Sequence, residues 1–202
     1  NPVLVDCKKN DFNIDENKIE SKITDKTRAI MPVHFGGNPC EIKIIKSICS
    51  KYNLKLIEDA AHALTSKYQG NLIGSQGDIT CFSFYATKNI TTGEGGMAVT
   101  ANPVYAEKIR KLSLHGISVD AWNRYGEKGS WFYEVTDAGF KYNMSDILAA
   151  IGTIQMTKAE SMLKKRTNIA KIYSDELANI PSITLPKSSL GNRHSWHLYV
   201  IQ

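Results

Sequence analysis

Apolar and polar positions along the chain switch repeatedly between two periods. Short β-branched and apolar runs, VLVD at 3–6, RAIMPV at 28–33 and LKLIE at 54–58, read as strands. Between them lie segments of helical period: NKIESKI, which Asp15 is placed to cap, and EIKIIKSICSKYN at 41–53, with Ile42, Ile45 and Ile48 on one stripe. This alternation predicts an α/β fold, a mainly parallel sheet flanked by helices with right-handed crossovers. Two more runs, ITCFSFY at 79–85 and GMAVT at 96–100, read as buried sheet strands.

Past residue 101 the pattern changes to a helix through VYAEKIRKLSLHG, an irregular stretch rich in aromatics and glycine at 116–142, and helical periodicity from about Ser145 to Leu177. Ile147, Leu148, Ile151 and Ile154 form an apolar stripe on the first half of that helix, while the second half, with KKR at 164–166, is more polar. Pro181 and Pro186 then interrupt the period, and SWHLYVI at 195–201 reads as the opening strand of a further unit. The expected division is a partial large domain over 1–165 and the beginning of a smaller C-terminal domain over 166–202.

Composition narrows the class. With 202 residues, 42% hydrophobic, the chain can bury a core without staples, and disordered, fibrous and coiled-coil readings fall away. No apolar run approaches the roughly 18 residues that span a bilayer, and the opening NPVLVDCKKN lacks the pattern of a secretory leader. A soluble cytoplasmic protein without membrane partners is expected. The net charge of +5 is spread over segments such as AEKIRK, where Lys and Glu alternate, which is a solvated helix face and not a nucleic-acid groove. Cys7, Cys40, Cys49 and Cys81 show no CxxC and no ligand spacing with histidine, so reduced, mostly buried thiols are expected and no zinc site.

In an open parallel sheet, ligands gather at the carboxyl ends of strands. Asp59 follows the strand at 54–58, with His62 three residues on; Ser83 sits late in the strand at 79–85, and Lys88 lies just past its end. Taken singly each has an ordinary explanation: a turn or cap carboxylate, a core histidine, a solvated lysine. Together they place a carboxylate, an imidazole, a hydroxyl and an amine around one crevice.

The segments IEDAAHA (57–63) and FSFYATKNITTGEGG (82–96), with AIMPVHFGG (29–37), LHG (114–116), GFKYNMSDILAAIG (139–152) and WHLYVI (196–201), closely resemble the DegT/StrS family of nucleotide-sugar aminotransferases, fold-type-I enzymes that use pyridoxal 5'-phosphate (PLP). The resemblance covers essentially the whole chain. It implies that Lys88 is the catalytic Schiff-base lysine and Asp59 the partner of the pyridine nitrogen. It further implies that His62 lies against the cofactor ring, that Ser83 helps hold the phosphate, and that Asn143 reaches the phosphate from the neighbouring subunit of a homodimer. On local sequence, Ser145 or Asp146 can cap the helix that follows and leave the Asn143 amide free, or Asn143 caps it itself, the reading local sequence favours.

The chemistry explains these residue types. PLP is an electron sink only while its ring nitrogen stays protonated, which a carboxylate favours. The lysine has to shed its proton to attack an aldehyde, which a desolvated pocket near other cations assists. TTGEGG at 91–96 suits either close backbone approach to the cofactor or a plain tight turn.

The family branch that dehydrates carries histidine at the lysine position, so Lys88 points to amination. IEDAAHA, KNIT and GFKYN are most similar to members that aminate C4 of a keto sugar nucleotide, with glutamate as the implied donor, in amino-sugar and surface-polysaccharide biosynthesis. His115, Trp122, Arg124 and His197 are candidates for a substrate pocket, with aromatic packing or surface charge as the alternatives. Family members are longer, with an N-terminal phosphate loop and a fuller small domain, so the chain reads as a fragment lacking both. The competing reading is a catalytically incomplete or regulatory homologue that keeps the fold and dimerises. A nicotinamide oxidoreductase needs GxGxxG after a first strand, and none occurs.

Overall fold

The computed structural model describes residues 1–117 and 134–202. Its centre is a four-stranded sheet built from β1 (Ala29–Ile30), β2 (Lys55–Asp59), β5 (Ile79–Ser83) and β6 (Gly96–Val99), in the order β1-β2-β5-β6. The first three strands run parallel, with Ala29 opposite Lys55 and Asp59 opposite Cys81, and β6 closes the edge antiparallel, with Ser83 opposite Gly96. Parallel neighbours put the C-terminal ends of β2 and β5 on one edge. A hairpin of β3 (Lys67–Tyr68) and β4 (Asn71–Leu72) turns through Gln69 and Gly70, at φ 46° and 83°, the left-handed pair of a tight hairpin turn.

Local sequence accounts for the helices. Asp15 caps α1 (Glu16–Ile19) by accepting from Asn17 N–H at 3.1 Å. The stripe of α2 (Ile42–Lys51) buries Ile42, Ile45 and Ile48 against Leu54 and Leu56, the core of the molecule. Truncating one of these isoleucines to alanine costs about 2–5 kcal/mol. Asn102 and Pro103 open α3 (Pro103–Ser113), and Ser145 opens α4 (Asp146–Leu177), which passes 165 and 166 without a break.

Several elements differ from the sequence pattern. VLVD forms no ladder among the described residues; the adjoining Cys7 makes an isolated bridge with Ile14, and Val3 and Leu4 are exposed. RAIMPV shortens to β1, since Pro32 has no N–H to give a ladder, and pairing resumes only as a bridge from Val33 to Asp59. GMAVT is an exposed antiparallel edge rather than a buried strand. SWHLYVI forms no strand: Leu198 N–H donates to Gly36 O at 3.1 Å and Gln202 exchanges hydrogen bonds with Thr184. The stripe on α4 faces outward, with Ile147 76% and Ile154 57% exposed, and the helix buries small Ala159 and Ala170 with Leu163 instead. All four thiols are free, but only Cys40 and Cys49 are buried.

Candidate active site

Asp59 ends β2. Its N–H donates to Pro32 O at 2.9 Å, its carbonyl accepts from His34 N–H at 3.0 Å, and Oδ1 accepts from Ala61 N–H at 3.0 Å. The turn role expected of such a residue is therefore real, but it occupies one carboxylate oxygen. Oδ2 makes no hydrogen bond among the described residues. Ser83 ends the neighbouring strand, its Oγ accepting from Tyr85 N–H at 3.3 Å, and Lys88 follows in a turn closed by Lys88 N–H to Tyr85 O at 2.9 Å. The Lys88 side chain is half-buried and its amine is unengaged among the described residues.

His62 shows that these groups converge. Gly36 N–H donates to its Nδ1 at 3.3 Å, so the neutral ring carries its proton on Nε2. Burial pushes its pKa down, the charge of Lys88 pushes the same way, and Asp59 opposes them. His197 lies 4.3 Å away, ring to ring, and is pushed down to about 4 by burial and then by His62, Lys88 and Arg166. Both imidazoles are thus neutral near pH 7, a flat pair beside a lysine, an arginine and one carboxylate.

TTGEGG is a turn in this chain. Thr92 N–H donates to Phe84 O at 2.9 Å and Thr91 Oγ1 accepts from Gly93 N–H at 2.8 Å; Gly93 has φ 83°, and a Cβ on Gly96 would meet Phe82 O at 2.8 Å. Asn143 makes no hydrogen bond to Asp59, His62, Ser83 or Lys88 among the described residues, while its neighbour Met144 packs against the cluster of Phe84 and Ile90. Ser145, not Asn143, caps α4, accepting from Leu148 N–H at 3.4 Å, and Asn143 Oδ1 accepts from Lys141 Nζ. The Asn143 side-chain N–H groups have no acceptor among the described residues, and the side chain is exposed. His115 is exposed, with φ 57°, and Trp122 and Arg124 lie outside the described residues.

A sequence model of the DegT/DnrJ/EryC1/StrS aminotransferase family matches residues 1–202. The chain belongs to this family. It is 48% identical over 201 residues to the spore coat polysaccharide biosynthesis protein SpsC of Bacillus subtilis, covering 100% of this chain and 52% of SpsC. Among solved structures it superposes on Helicobacter pylori PseC, an aminotransferase involved in pseudoaminic acid biosynthesis, with TM-score 0.91 and 33% identity, covering 100% of this chain and 52% of PseC. Spr1654 of Streptococcus pneumoniae, in its PMP-form, matches with TM-score 0.91 and 34% identity over 100% of this chain and 55% of Spr1654. The chain spans about half the length of these relatives.

The DegT/DnrJ/EryC1/StrS sheet thus ends β2 at Asp59 and β5 at Ser83 on one edge, with His62 and Lys88 in the turns that follow and His197 against His62. Three residues beside the crevice were given no role by the motifs, although Asn89 lies within KNIT. Arg166 sits in the polar run KKR but is half-buried, donating through Nε to Ser195 O at 3.0 Å and through Nη1 to Asn89 O at 3.3 Å. Asn89 and Ser195 are buried beside it. The signal that could have found Arg166 is its position: four residues before Ala170 and three after Leu163, it shares the buried face of α4.

Proposed function

We propose that this chain forms the cofactor-binding part of a PLP-dependent sugar aminotransferase that moves an amino group from glutamate to C4 of a nucleotide-linked keto sugar, in amino-sugar and surface-polysaccharide biosynthesis. The observation that carries the reading is the placing of Asp59 at the end of β2 and of Lys88 in the turn that follows the adjacent parallel strand β5, with the charges of both acting on His62 between them in sequence. The donor set fits PLP. Asp59 has an unengaged oxygen for a ring N–H, Lys88 an unengaged amine, and neutral His62 a flat face for a pyridine ring.

Bound PLP supplies the electron sink that lets the C–H bond beside an amino group break. Asp59 keeps the ring nitrogen protonated by holding a negative charge against it. Lys88 Nζ would hold the cofactor and would carry the proton between the carbons that exchange the amino group. Ser83 Oγ and the Asn143 amide of a second subunit are the phosphate donors in this reading.

A homodimer with shared sites is part of the proposal: Asn143 lies beside exposed Tyr142 and just before the outward stripe Ile147, Ile151 and Ile154, a face suited to a second copy. Glutamate and C4 rest on the similarity of IEDAAHA, KNIT and GFKYN to aminating family members. Borohydride reduction of the full-length protein loaded with PLP, followed by peptide mapping, tests the reading. Lys88 is expected to carry the label, and glutamate is expected to discharge the yellow form; a label on another lysine overturns the assignment.

A further inference from the structure

The carbonyl oxygen of His62 is a meeting point for segments far apart in the chain. Ser195 Oγ–H donates to it at 2.7 Å, and Asn89 Nδ2–H donates to it at 3.4 Å and to Leu64 O at 3.1 Å. Both donors are buried, Ser195 completely. From the middle of α4, Arg166 ties the donors together, Nε–H to Ser195 O at 3.0 Å and Nη1–H to Asn89 O at 3.3 Å. The hydrogen bonds close a ring, His62 to Ser195 to Arg166 to Asn89 and back to His62. Gly37 seals one side, since a Cβ there would stand 2.8 Å from His62 O and collide with Ser195 Oγ, and Gly37 O accepts the Ser195 N–H at 3.1 Å.

Two members of this ring bear directly on the crevice: His62 is in it, and Asn89 is the chain neighbour of Lys88. We propose that Arg166 is a positioning residue for the transamination, fixing through Asn89 and Ser195 the backbone that presents Lys88 and the orientation of the His62 ring. The proposal rests on the function argued above. A guanidinium suits the task because its planar fork aims separate donors at carbonyls on different segments; the point charge of a lysine cannot reproduce that fork. His197, whose ring lies 4.3 Å from His62 at a tilt of 31°, is on the side of the crevice from which Ser195, two residues earlier, is held by the Arg166 guanidinium.

The test uses the full-length holoenzyme and the variants Arg166→Gln, Arg166→Lys and Ser195→Ala. Arg166→Gln is expected to lower kcat of the glutamate half-reaction about a hundredfold, as a misplacement of about an ångström does, with KM for glutamate changed by less than about threefold. It is also expected to slow borohydride labelling of Lys88 without substrate, a readout of lysine placement that does not depend on turnover. Arg166→Lys should not rescue either effect. Ser195→Ala should cost about tenfold in kcat, and adding it to Arg166→Gln should cost nothing more, because both cut one ring.

A kcat within about threefold of the parent with only thermal stability reduced, full rescue by Arg166→Lys, or additive losses overturn the proposal. Should Arg166→Gln fail to fold, unchanged kcat and labelling in Ser195→Ala overturn it equally. No labelling of Lys88 in the parent protein overturns the functional reading and this proposal together; normal parent labelling with unaltered variants overturns this proposal alone.

Discussion

His34 Nε2 and Glu58 Oε2 lie 2.9 Å apart with both side chains wholly out of solvent. Cys40 N–H donates to His34 Nδ1 at 3.1 Å, which leaves the Nε2–H to donate to the Glu58 carboxylate. Glu58 Oε1 accepts from Gly77 N–H at 2.8 Å and from Thr80 Oγ1–H at 2.9 Å. Burial pushes the Glu58 carboxyl up, but His34 above all, with the hydrogen bonds from Thr80 and Gly77, outweighs it and leaves it below its ordinary 4.5.

Removing that acceptor strands three buried donors, so Glu58→Ala is expected to cost about 3–5 kcal/mol, read from denaturant midpoints. A carboxyl lowered in the folded state contributes stability that is fully present above the ordinary 4.5 and lost as pH falls through the folded value. The stability gap between parent and Glu58→Gln should therefore be widest at neutral pH and close in acid. A gap independent of pH would show that the residue matters only for packing.

Acid should weaken the fold through histidine as well. Burial pushes His194 down to about 4, and His197 is at about 4 beside it, against an ordinary 6.5. Between those values the unfolded chain binds the extra protons, so stability falls as pH drops from 6.5 toward 4 and levels off below, by up to about 1.4 kcal/mol per pH unit for each histidine. His194→Asn should flatten part of this slope in melting temperatures measured across that range.

At Asp59 stability and catalysis should separate. Asp59→Asn keeps an oxygen for the Ala61 N–H, so its stability should stay within about 1 kcal/mol of the parent, while the glutamate half-reaction falls by orders of magnitude. Asp59→Ala should lose both. A near-normal half-reaction in Asp59→Ala would leave the carboxylate as a turn residue only.

Capping and phosphate binding are likewise separable at the start of α4. Ser145→Ala should cost about 1 kcal/mol as a lost cap, and Asn143→Ala almost nothing in stability. Mixing full-length Lys88→Ala and Asn143→Ala subunits should raise activity above either homodimer, because an Asn143 acting across the interface leaves one hybrid site intact. Mixing that restores nothing would place Asn143 in its own subunit's site.

The sequence pattern announced α2 and α4 almost to the residue, because caps and apolar stripes are local and write themselves into consecutive positions. Strands are different: VLVD and SWHLYVI have the right residues, but a ladder needs a partner that distant chain supplies, and the described residues supply none. The outward stripe of α4 has the same origin, since periodicity says that a face is apolar and not what covers it. The placing of Asp59 and Ser83 was legible because they end neighbouring parallel strands, whereas the roles proposed for them, His62 and Lys88 come from the family resemblance. Arg166 was hidden in a basic run that reads as solvated, and His34 and Glu58 carried no spacing that distinguishes a buried hydrogen-bonded pair from surface polarity.

The ring around the His62 carbonyl also sets an order of events. Ser195 follows His62 by 133 positions and Asn89 follows it by 27, so as the chain emerges from the ribosome the strands bearing Asp59 and Lys88 are available long before the last donor. Closing so long a loop is entropically unfavourable until α4 has formed and carried the later segment back. The sheet can therefore assemble early in synthesis, while the crevice stays unfinished until residue 195 is free to reach it.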